Sequence, residues 1–245
     1  MTFIFPRSWL SGLILSAAGG TTTFGVTAGQ CADSTNAAIM NVPAALTKTV
    51  SSSWSAGNGG GALDTGSTTI NTWYHVFAIS DAVGVTTDIL VSLSPTAPKL
   101  PAGFTLFRRI GSMKTDASFH WLGFVQTGDL FNYNTAIVDL GATIPINTVT
   151  NVTLTVPTGI VVVAWFSATW ISTNAVETSV NILPKTMGMT GSPMALWAQS
   201  NNFIAAGHFN VPTDTSGRIQ VDASADTGTL GIITLGYRDS RGKDG

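Results

Sequence analysis

Apolar and polar residues alternate over short segments of the chain, and turn residues separate these segments about every 8 to 15 positions. Residues 152–156, Val-Thr-Leu-Thr-Val, are a clean example. A period of two places neighbouring side chains on opposite faces of a strand. Helical periodicity is scarce, because its best candidate, residues 37–48, contains Pro43. The pattern predicts an all-β chain built of two antiparallel, jelly-roll-like β-sandwich domains.

The predicted strands fall into two sets. The first comprises residues 9–15, 24–27, 72–80, 87–93, 104–112 and 119–127. The second comprises residues 136–140, 148–156, 159–172, 178–183, 195–199, 203–209, 218–222 and 229–237. Aromatic density falls around Gly141, so we predict an N-terminal domain over 1–140, used for attachment and assembly, and a C-terminal domain over 141–245 that contacts a receptor.

Residues 72–80 are hydrophobic on both faces of the predicted strand. Such a strand is buried between two layers, which are either two subunits or the two sheets of one larger sandwich. Within residues 104–112, two adjacent arginines point to opposite faces, and we expect at least one to meet a carboxylate such as Asp88 or Asp116, unless the strand is a solvated edge. The predicted assembly interface comprises Trp73, His75, Phe77, Arg108, Arg109 and Trp121.

Charged residues make up 10% of the chain, and the net charge is −2. Ordinary soluble domains have about 25% charged residues. The lack of a basic cluster argues against a nucleic-acid partner, which needs lysines and arginines to neutralise phosphates. A charge-poor chain with positive mean hydropathy must cover apolar surface, and we therefore expect an oligomer, most simply a homotrimer.

The N-terminal run 1–18 has one positive charge, a short apolar stretch and small residues, as secretory signals do, but we expect it to form a strand. No apolar run reaches the roughly 18 residues of a membrane span. Cys31 is the only cysteine and cannot form an intrachain disulfide, so we expect it to be a buried, inert residue.

Two Asp-Thr-Gly triplets begin at Asp64 and Asp226 and are similar to those of aspartic proteases. There, two carboxylates share one proton and act as base and acid on a water. Here glycines precede the first triplet and Ser224-Ala225 the second, where the proteases have an apolar strand. Asp-Thr-Gly is also a common turn, which is our interpretation; the protease is kept as an alternative. A glycosidase could use a carboxyl pair from Asp214, Asp222 and Asp226.

The histidines, His75, His120 and His208, lack metal-ligand spacing. The glycine-rich run 58–66 lacks the Gly-Lys-Ser/Thr of a phosphate loop, and no nucleophile elbow occurs. We therefore predict no catalytic residues, metal or cofactor, and a protein that is not an enzyme. Three aromatic residues of the second domain could stack on sugars or pack in a core, and as receptor contacts we name Trp170, Trp197 and Tyr237.

Several runs together resemble a module of tailed-bacteriophage and prophage tail proteins, and they span nearly the whole chain. They are Leu10-Ser11-Gly12-Leu13, Ala32-Asp33-Ser34-Thr35-Asn36-Ala37-Ala38, Leu63-Asp64-Thr65-Gly66, Thr72-Trp73-Tyr74-His75-Val76-Phe77, Phe107-Arg108-Arg109-Ile110-Gly111-Ser112, Phe124-Val125-Gln126-Thr127-Gly128-Asp129 and Thr234-Leu235-Gly236-Tyr237-Arg238-Asp239-Ser240-Arg241-Gly242.

The resemblance implies a structural virion protein, a tail fibre or tail-tip component, made in the cytoplasm of the bacterial host. Its partners would be its own copies, other tail or baseplate proteins, and a host surface glycan or protein receptor. A head fibre or capsid decoration protein is an alternative location in the particle. A glycan-binding or depolymerase module is an alternative function.

Overall fold

The computed structural model describes residues 8–172, 177–185, 194–199, 203–224 and 228–243. These residues form nineteen β-strands and no α-helix, which confirms the predicted all-β fold. The chain divides into two compact units. Unit 1 comprises Met1–Asn134 together with Asp239–Gly245, and unit 2 comprises Thr135–Arg238. The predicted boundary at 140/141 lies close to residues 134/135, where the chain passes from unit 1 into unit 2. The prediction does not include the return of the C-terminal residues to unit 1.

The strands of unit 1 are mostly short. They are β1 (Leu10–Gly12), β2 (Leu15–Ala17), β3 (Thr23–Val26), β4 (Gly29–Ala32), β5 (Ile39–Val42), β6 (Leu46–Ser53), β7 (Gly61–Leu63), β8 (Trp73–Ser80), β9 (Thr87–Ser92), β10 (Leu106–Lys114), β11 (Phe124–Thr127) and the beginning of β12 (Leu130–Ile144). The main sheet has the order β10-β8-β9-β7-β6-β3-β2-β11-β12, and a small sheet has the order β1-β4-β5.

The main sheet of unit 1 is mixed and not purely antiparallel as predicted, because β7 pairs in parallel with both β6 and β9. The small sheet contacts the main sheet where β5 meets β8 and β9. Every residue of β8 is buried, so the two-faced hydrophobicity of residues 72–80 reflects two layers within one chain.

The N-terminal strand predicted over residues 9–15 is interrupted. Gly12 and Leu13 have positive φ values of 67° and 52°, and the strand splits there into β1 and β2. A left-handed residue cannot continue the extended backbone of a strand. Residues 1–7 lie outside the described part of the chain.

The strands of unit 2 are the remainder of β12, β13 (Thr150–Thr153), β14 (Val163–Ser172), β15 (Thr178–Pro184), β16 (Ala195–Ala198), β17 (Ile204–Pro212), β18 (Arg218–Ser224) and β19 (Gly228–Arg238). One sheet has the order β12-β19-β14-β17 and the other β13-β18-β15-β16. Residues of β14 and β17 contact β15 and β16 across the interior. Because β14 alternates strictly between buried and half-buried positions, one face forms the core and the other faces outwards.

Candidate functional site

A buried ion pair joins the end of the chain to strand β10 of unit 1. The Arg109 guanidinium donates to both carboxylate oxygens of Asp239, with N···O distances of 2.5 and 2.8 Å. Asp239 is 1% exposed and Arg109 is 8% exposed. Burial by itself would raise the pKa of Asp239, but the Arg109 charge and its hydrogen bonds lower it below the usual range. This pair replaces the expected pairing with Asp88 or Asp116.

Arg241 provides a second buried cation next to this pair. Its Nε donates to the Ile110 carbonyl at 2.9 Å, and its Nη2 donates to the Gly12 carbonyl at 3.0 Å and to the Leu13 carbonyl. These last two carbonyls belong to the break between β1 and β2. Burial lowers the pKa of Arg241 from its normal value, with Asp129 and Asp239 opposing that change. Arg241 therefore satisfies backbone acceptors that the interrupted strand leaves.

The last described residues complete this attachment. Gly242 has a φ of +68°, and a β-carbon there would lie 3.2 Å from the Arg109 carbonyl oxygen and 3.3 Å from Nε of Arg108. Lys243 forms an ion pair with Asp129 at 2.5 Å. We call residues 239–243 the C-terminal clasp. It lies entirely within unit 1, on residues of β1, β10 and the turn after β11.

Two potentially reactive side chains of unit 1, Cys31 and His75, are buried. The Cys31 thiol is fully buried, and burial raises its pKa to about 12 despite the opposing charges of Arg108 and Arg241. A thiol with that pKa stays protonated and is a poor nucleophile. His75 is also buried, with Nδ1 3.0 Å from the Ser112 hydroxyl. The Cys31 thiol and the His75 ring are therefore both shielded from solvent.

A second buried ion pair anchors the beginning of the glycine-rich run 58–66 of unit 1, which we call the strap. The Lys48 ammonium lies 3.1 Å from the Asp88 carboxylate and donates to the carbonyls of Ser55 and Gly57. The Gly57 amide donates in turn to Asp88 at 2.9 Å. Burial lowers the pKa of Lys48, and the Asp88 charge opposes that change. The strap is thus a structural loop, as its lack of a phosphate-loop pattern indicates.

A groove opens beside this strap, at the ends of β6 and β7. Its cavity volume is about 280 Å³. The indole of Trp54 contacts Phe104 edge-on, with ring centroids 5.2 Å apart, and packs against a core cluster of Phe77, Ile79 and Leu90. The groove is lined by Ser53, Trp54, Asp64, Lys99, Leu100, Pro101 and Ala102.

In unit 2, the outward face of strands β19, β14 and β17 carries no aspartate, glutamate, lysine or arginine at its centre. The strand registers place its residues side by side, with Ser167 between His208 and Ile233. Apolar side chains there are half-buried or exposed, including Ile204 at 59%. We call this the outer face, made up of Trp165, Ser167, Thr169, Ile171, Ile204, Ala206, His208, Asn210 and Ile233.

The residues predicted for the assembly interface are buried inside one chain. All six lie in unit 1 and are between 0% and 9% exposed. Trp121, for example, is 0% exposed, contacts Phe24 and Tyr74 edge-on, and donates from its indole nitrogen to the Thr22 carbonyl. Because their side chains are buried within one chain, these six residues do not form contacts to another subunit. They are Trp73, His75, Phe77, Arg108, Arg109 and Trp121.

The predicted receptor contacts differ among themselves. Trp170 is 0% exposed and its indole donates to the Thr178 hydroxyl at 3.0 Å, so it is a core residue of unit 2. Tyr237 is 1% exposed and equally internal. Trp197, on β16, is 54% exposed. Burial excludes the first two as contacts, and Trp197 remains accessible.

The predicted protease and glycosidase carboxylates differ in their surroundings. Asp222 lies on β18, and its Oδ1 is buried without a hydrogen-bond partner. Asp64 lies in a bend where Gly66 has a φ of +74°, as a turn requires, and Asp226 lies outside the described residues. Asp214 is held by Arg218 and Lys185, at 2.9 and 3.7 Å. No cluster of three potential metal ligands occurs within the described residues.

Comparisons with known proteins do not identify a relative. No protein-family model matches the chain, and no curated protein matches it. Among solved structures, a tryptic core variant of the Bacillus thuringiensis Cry1Da protein aligns with 95% of this chain and 53% of its own, at 7% identity and a TM-score of 0.24. The chain thus spans about half the length of that structure, and so low a score carries no inference. Within the described residues, no helix is long and apolar enough to cross a membrane.

Proposed function

We propose that this chain is a structural protein of a tailed-bacteriophage particle, a tail-fibre or tail-tip component that assembles as a homotrimer. The protein is made in the host cytoplasm and acts in the virion. Its partners are its own copies and neighbouring tail or baseplate proteins. An alternative location for the same structural role is the phage head, where the chain would be a head fibre or a capsid decoration protein.

One observation carries the structural part of this proposal. Three of the seven runs on which the phage resemblance rests meet one another in the C-terminal clasp. Arg109 comes from one run, Asp239 and Arg241 from another, and the carbonyl of Gly12 from a third. Because these residues are used for buried pairing and for satisfying carbonyls, the resemblance supports a shared scaffold and not a shared reaction.

The outer face of unit 2 supports the assembly part. Because the six predicted interface residues of unit 1 are buried, this uncharged, partly apolar face is a surface through which copies of the chain can meet. Copies of an uncharged face can pack around a threefold axis without like-charge repulsion and without stripping water from ions. Thr169 lies at its centre, between Gly231 and Ala206 on the neighbouring strands.

The assembly is tested by light scattering coupled to size exclusion. Wild-type protein should elute at three times the mass of the 25.5 kDa chain. Thr169→Glu should dissociate it, because three carboxylates would be buried together, whereas Thr65→Glu in an exposed bend should not. A monomer at all concentrations would rule out the trimer.

The virion assignment is tested separately, by mass spectrometry and antibody labelling of purified particles. Labelling at the tail tip or fibre supports the proposal, and labelling on the head identifies the decoration alternative. Absence of the protein from particles of an intact phage that encodes it would overturn the proposal.

Receptor contact is a second proposed role, favoured by the exposure of Trp197. A half-exposed indole on an edge strand of a charge-poor unit is suited to stacking on a sugar ring or on a protein side chain. Trp197→Ala should weaken adsorption to host cells while leaving the oligomer intact.

A further inference from the structure

The groove of unit 1 has one apolar wall and one polar wall. Trp54, Leu100 and Pro101 form the apolar wall, and all three are half-buried. Ser53 and Asp64 form the polar wall. Ligand sites typically combine an apolar lining with a few convergent polar groups.

The strand register explains why the two walls meet. Ser53 pairs with Leu63 in the parallel ladder of β6 and β7, and Trp54 and Asp64 follow one residue later on each strand. The Trp54 amide donates to the Leu63 carbonyl at 2.8 Å, and the Asp64 amide donates to the Val91 carbonyl at 2.9 Å. The indole and the carboxylate are therefore carried by adjacent, hydrogen-bonded backbones.

Contacts within unit 1 hold both walls in place. Trp54 is held by Phe104, and the Lys48 ammonium lies 5.6 Å from its ring centroid. The rest of the apolar wall belongs to residues 94–103, where three prolines restrict the backbone, and Asp64 of the polar wall fixes this segment by accepting the Lys99 amide at 3.1 Å. A preformed site loses little conformational entropy on binding.

The carboxylate of Asp64 has capacity left for a ligand. It accepts two bonds, from the Lys99 amide and from the Thr65 hydroxyl at 3.3 Å. A carboxylate offers about four acceptor positions, so about two remain for hydroxyl donors. The ammonium of Lys99 balances the charge of Asp64, and the lining as a whole has no net charge. Such a lining favours a neutral ligand over a phosphate or a metal ion.

We propose that this groove binds a single pyranose ring of a neutral saccharide, with the ring's C–H face on the apolar wall and two of its hydroxyls on Asp64. The volume of about 280 Å³ lies just below the range of about 300–1,000 Å³ for drug-sized ligands and suits one ring. That the sugar comes from a host surface glycan rests on the proposed function; the site itself does not.

The site is tested on the full chain labelled with 5-fluorotryptophan. The seven tryptophans give separate fluorine resonances, and Trp54→Phe assigns the resonance of Trp54. The probes are methyl glycosides of glucose, galactose, mannose, rhamnose and N-acetylglucosamine, titrated one at a time. We expect at least one of them to shift the Trp54 resonance saturably.

Asp64→Asn is the decisive variant, because its amide oxygen can still accept the Lys99 amide and keep the wall in place. We expect it to weaken binding about tenfold or more, since hydrogen bonds to a charged group are about twice as strong as neutral ones. Asp81→Asn is the matched control, because Asp81 also accepts loop amides, those of Val83 and Val85, but lies outside the groove. It should bind as wild type.

The proposal would be overturned if none of the five methyl glycosides shifted the Trp54 resonance. It would also be overturned if Asp64→Asn and the wild type bound a sugar with equal affinity. Neither result would affect the virion proposal, which is decided by the location of the protein in particles. A protein found in particles but silent to every sugar would retain its structural role and lose this site.

Discussion

The C-terminal clasp predicts that a single substitution, Asp239→Asn, will destabilise unit 1 severely. The carboxylate is 1% exposed and accepts from the Arg109 guanidinium, from the Arg241 amide at 2.8 Å and from the Ser112 hydroxyl at 3.4 Å. In the asparagine variant one oxygen becomes an NH₂ group. The Arg109 charge then stays buried without a counter-ion.

Removing one partner of a buried ion pair costs about 3–5 kcal/mol. The bidentate geometry and the near-complete burial favour the upper half of that range. A domain has a free energy of unfolding of about 5–15 kcal/mol, so this substitution removes a large fraction of the stability of unit 1. Asp129→Asn is the matched control: its ion pair with Lys243 is about one-third exposed, and we expect a cost of about 1 kcal/mol or less.

The assay is urea unfolding combined with hydrogen exchange of peptides covering 106–114 and 10–17. Asp239→Asn should lower the exchange protection of these peptides, and Asp129→Asn should leave it nearly unchanged. The double variant Arg109→Met with Asp239→Leu removes both charges and should be more stable than Asp239→Asn alone. Equal costs for Asp239→Asn and Asp129→Asn, within about 1 kcal/mol, would refute the role given to the buried pair.

The ion pair of Arg109 and Asp239 also predicts that the free energy of unfolding of unit 1 depends on pH. The pKa of Asp239 is lower in the folded chain than in the unfolded chain, where it is about 3.9. Its contribution to stability is therefore complete above the unfolded pKa and is lost as the pH falls through the folded pKa. The difference between wild type and Asp239→Asn should be constant from about pH 5 to 7 and shrink below about pH 4. A difference independent of pH down to 2 would contradict the electrostatic origin.

Three further substitutions test other parts of the structure. Gly242→Ala should cost about 1–2 kcal/mol for its positive φ, and more than Gly103→Ala, because both glycines have a positive φ but only the β-carbon at 242 would meet a backbone atom, the Arg109 carbonyl oxygen at 3.2 Å; thermal unfolding measures both. Lys48→Met should cost about 3–5 kcal/mol in urea unfolding, because it leaves a buried carboxylate without its cation. Trp170→Ala should cost about 3–5 kcal/mol by emptying the core of unit 2, whereas Trp197→Ala should leave stability unchanged and reduce adsorption to host cells.

Long strands with regular alternation were predictable from the sequence. The prediction of 72–80 corresponds to β8 (Trp73–Ser80), and that of 159–172 contains β14 (Val163–Ser172). Strands β4 to β7 were missed. Residues 46–53, which form β6, are rich in serine and threonine, and β7 is only three residues long and is held by parallel pairing with β6 and β9. Local composition gives no signal for pairing of that kind.

The candidate sites were predictable only in part. Adjacent arginines in an apolar strand correctly indicated a buried carboxylate, but the partner of Arg109 lies 130 residues away. A choice among several carboxylates depends on tertiary position and not on local pattern. Likewise, the sequence does not distinguish the tryptophans of unit 2 from one another, whereas their exposed fractions separate Trp197 from the buried Trp170. The sequence does not single out Trp54, because the proline-rich segment that completes its wall of the groove is distant along the chain.

The break between β1 and β2 depends on the C-terminal clasp, and the clasp depends on the break. The break at Gly12 and Leu13 turns two carbonyls away from strand pairing, and a buried carbonyl without a donor is costly. Arg241 supplies those donors, and the neighbouring ion pair of Asp239 holds the backbone that carries Arg241. Closing a loop of more than a hundred residues costs only slightly more entropy than closing a loop half as long, so a few buried contacts are enough to hold the tail. Unit 1 is therefore completed by residues that follow unit 2 in the chain, and substitutions in residues 239–243 should affect its stability.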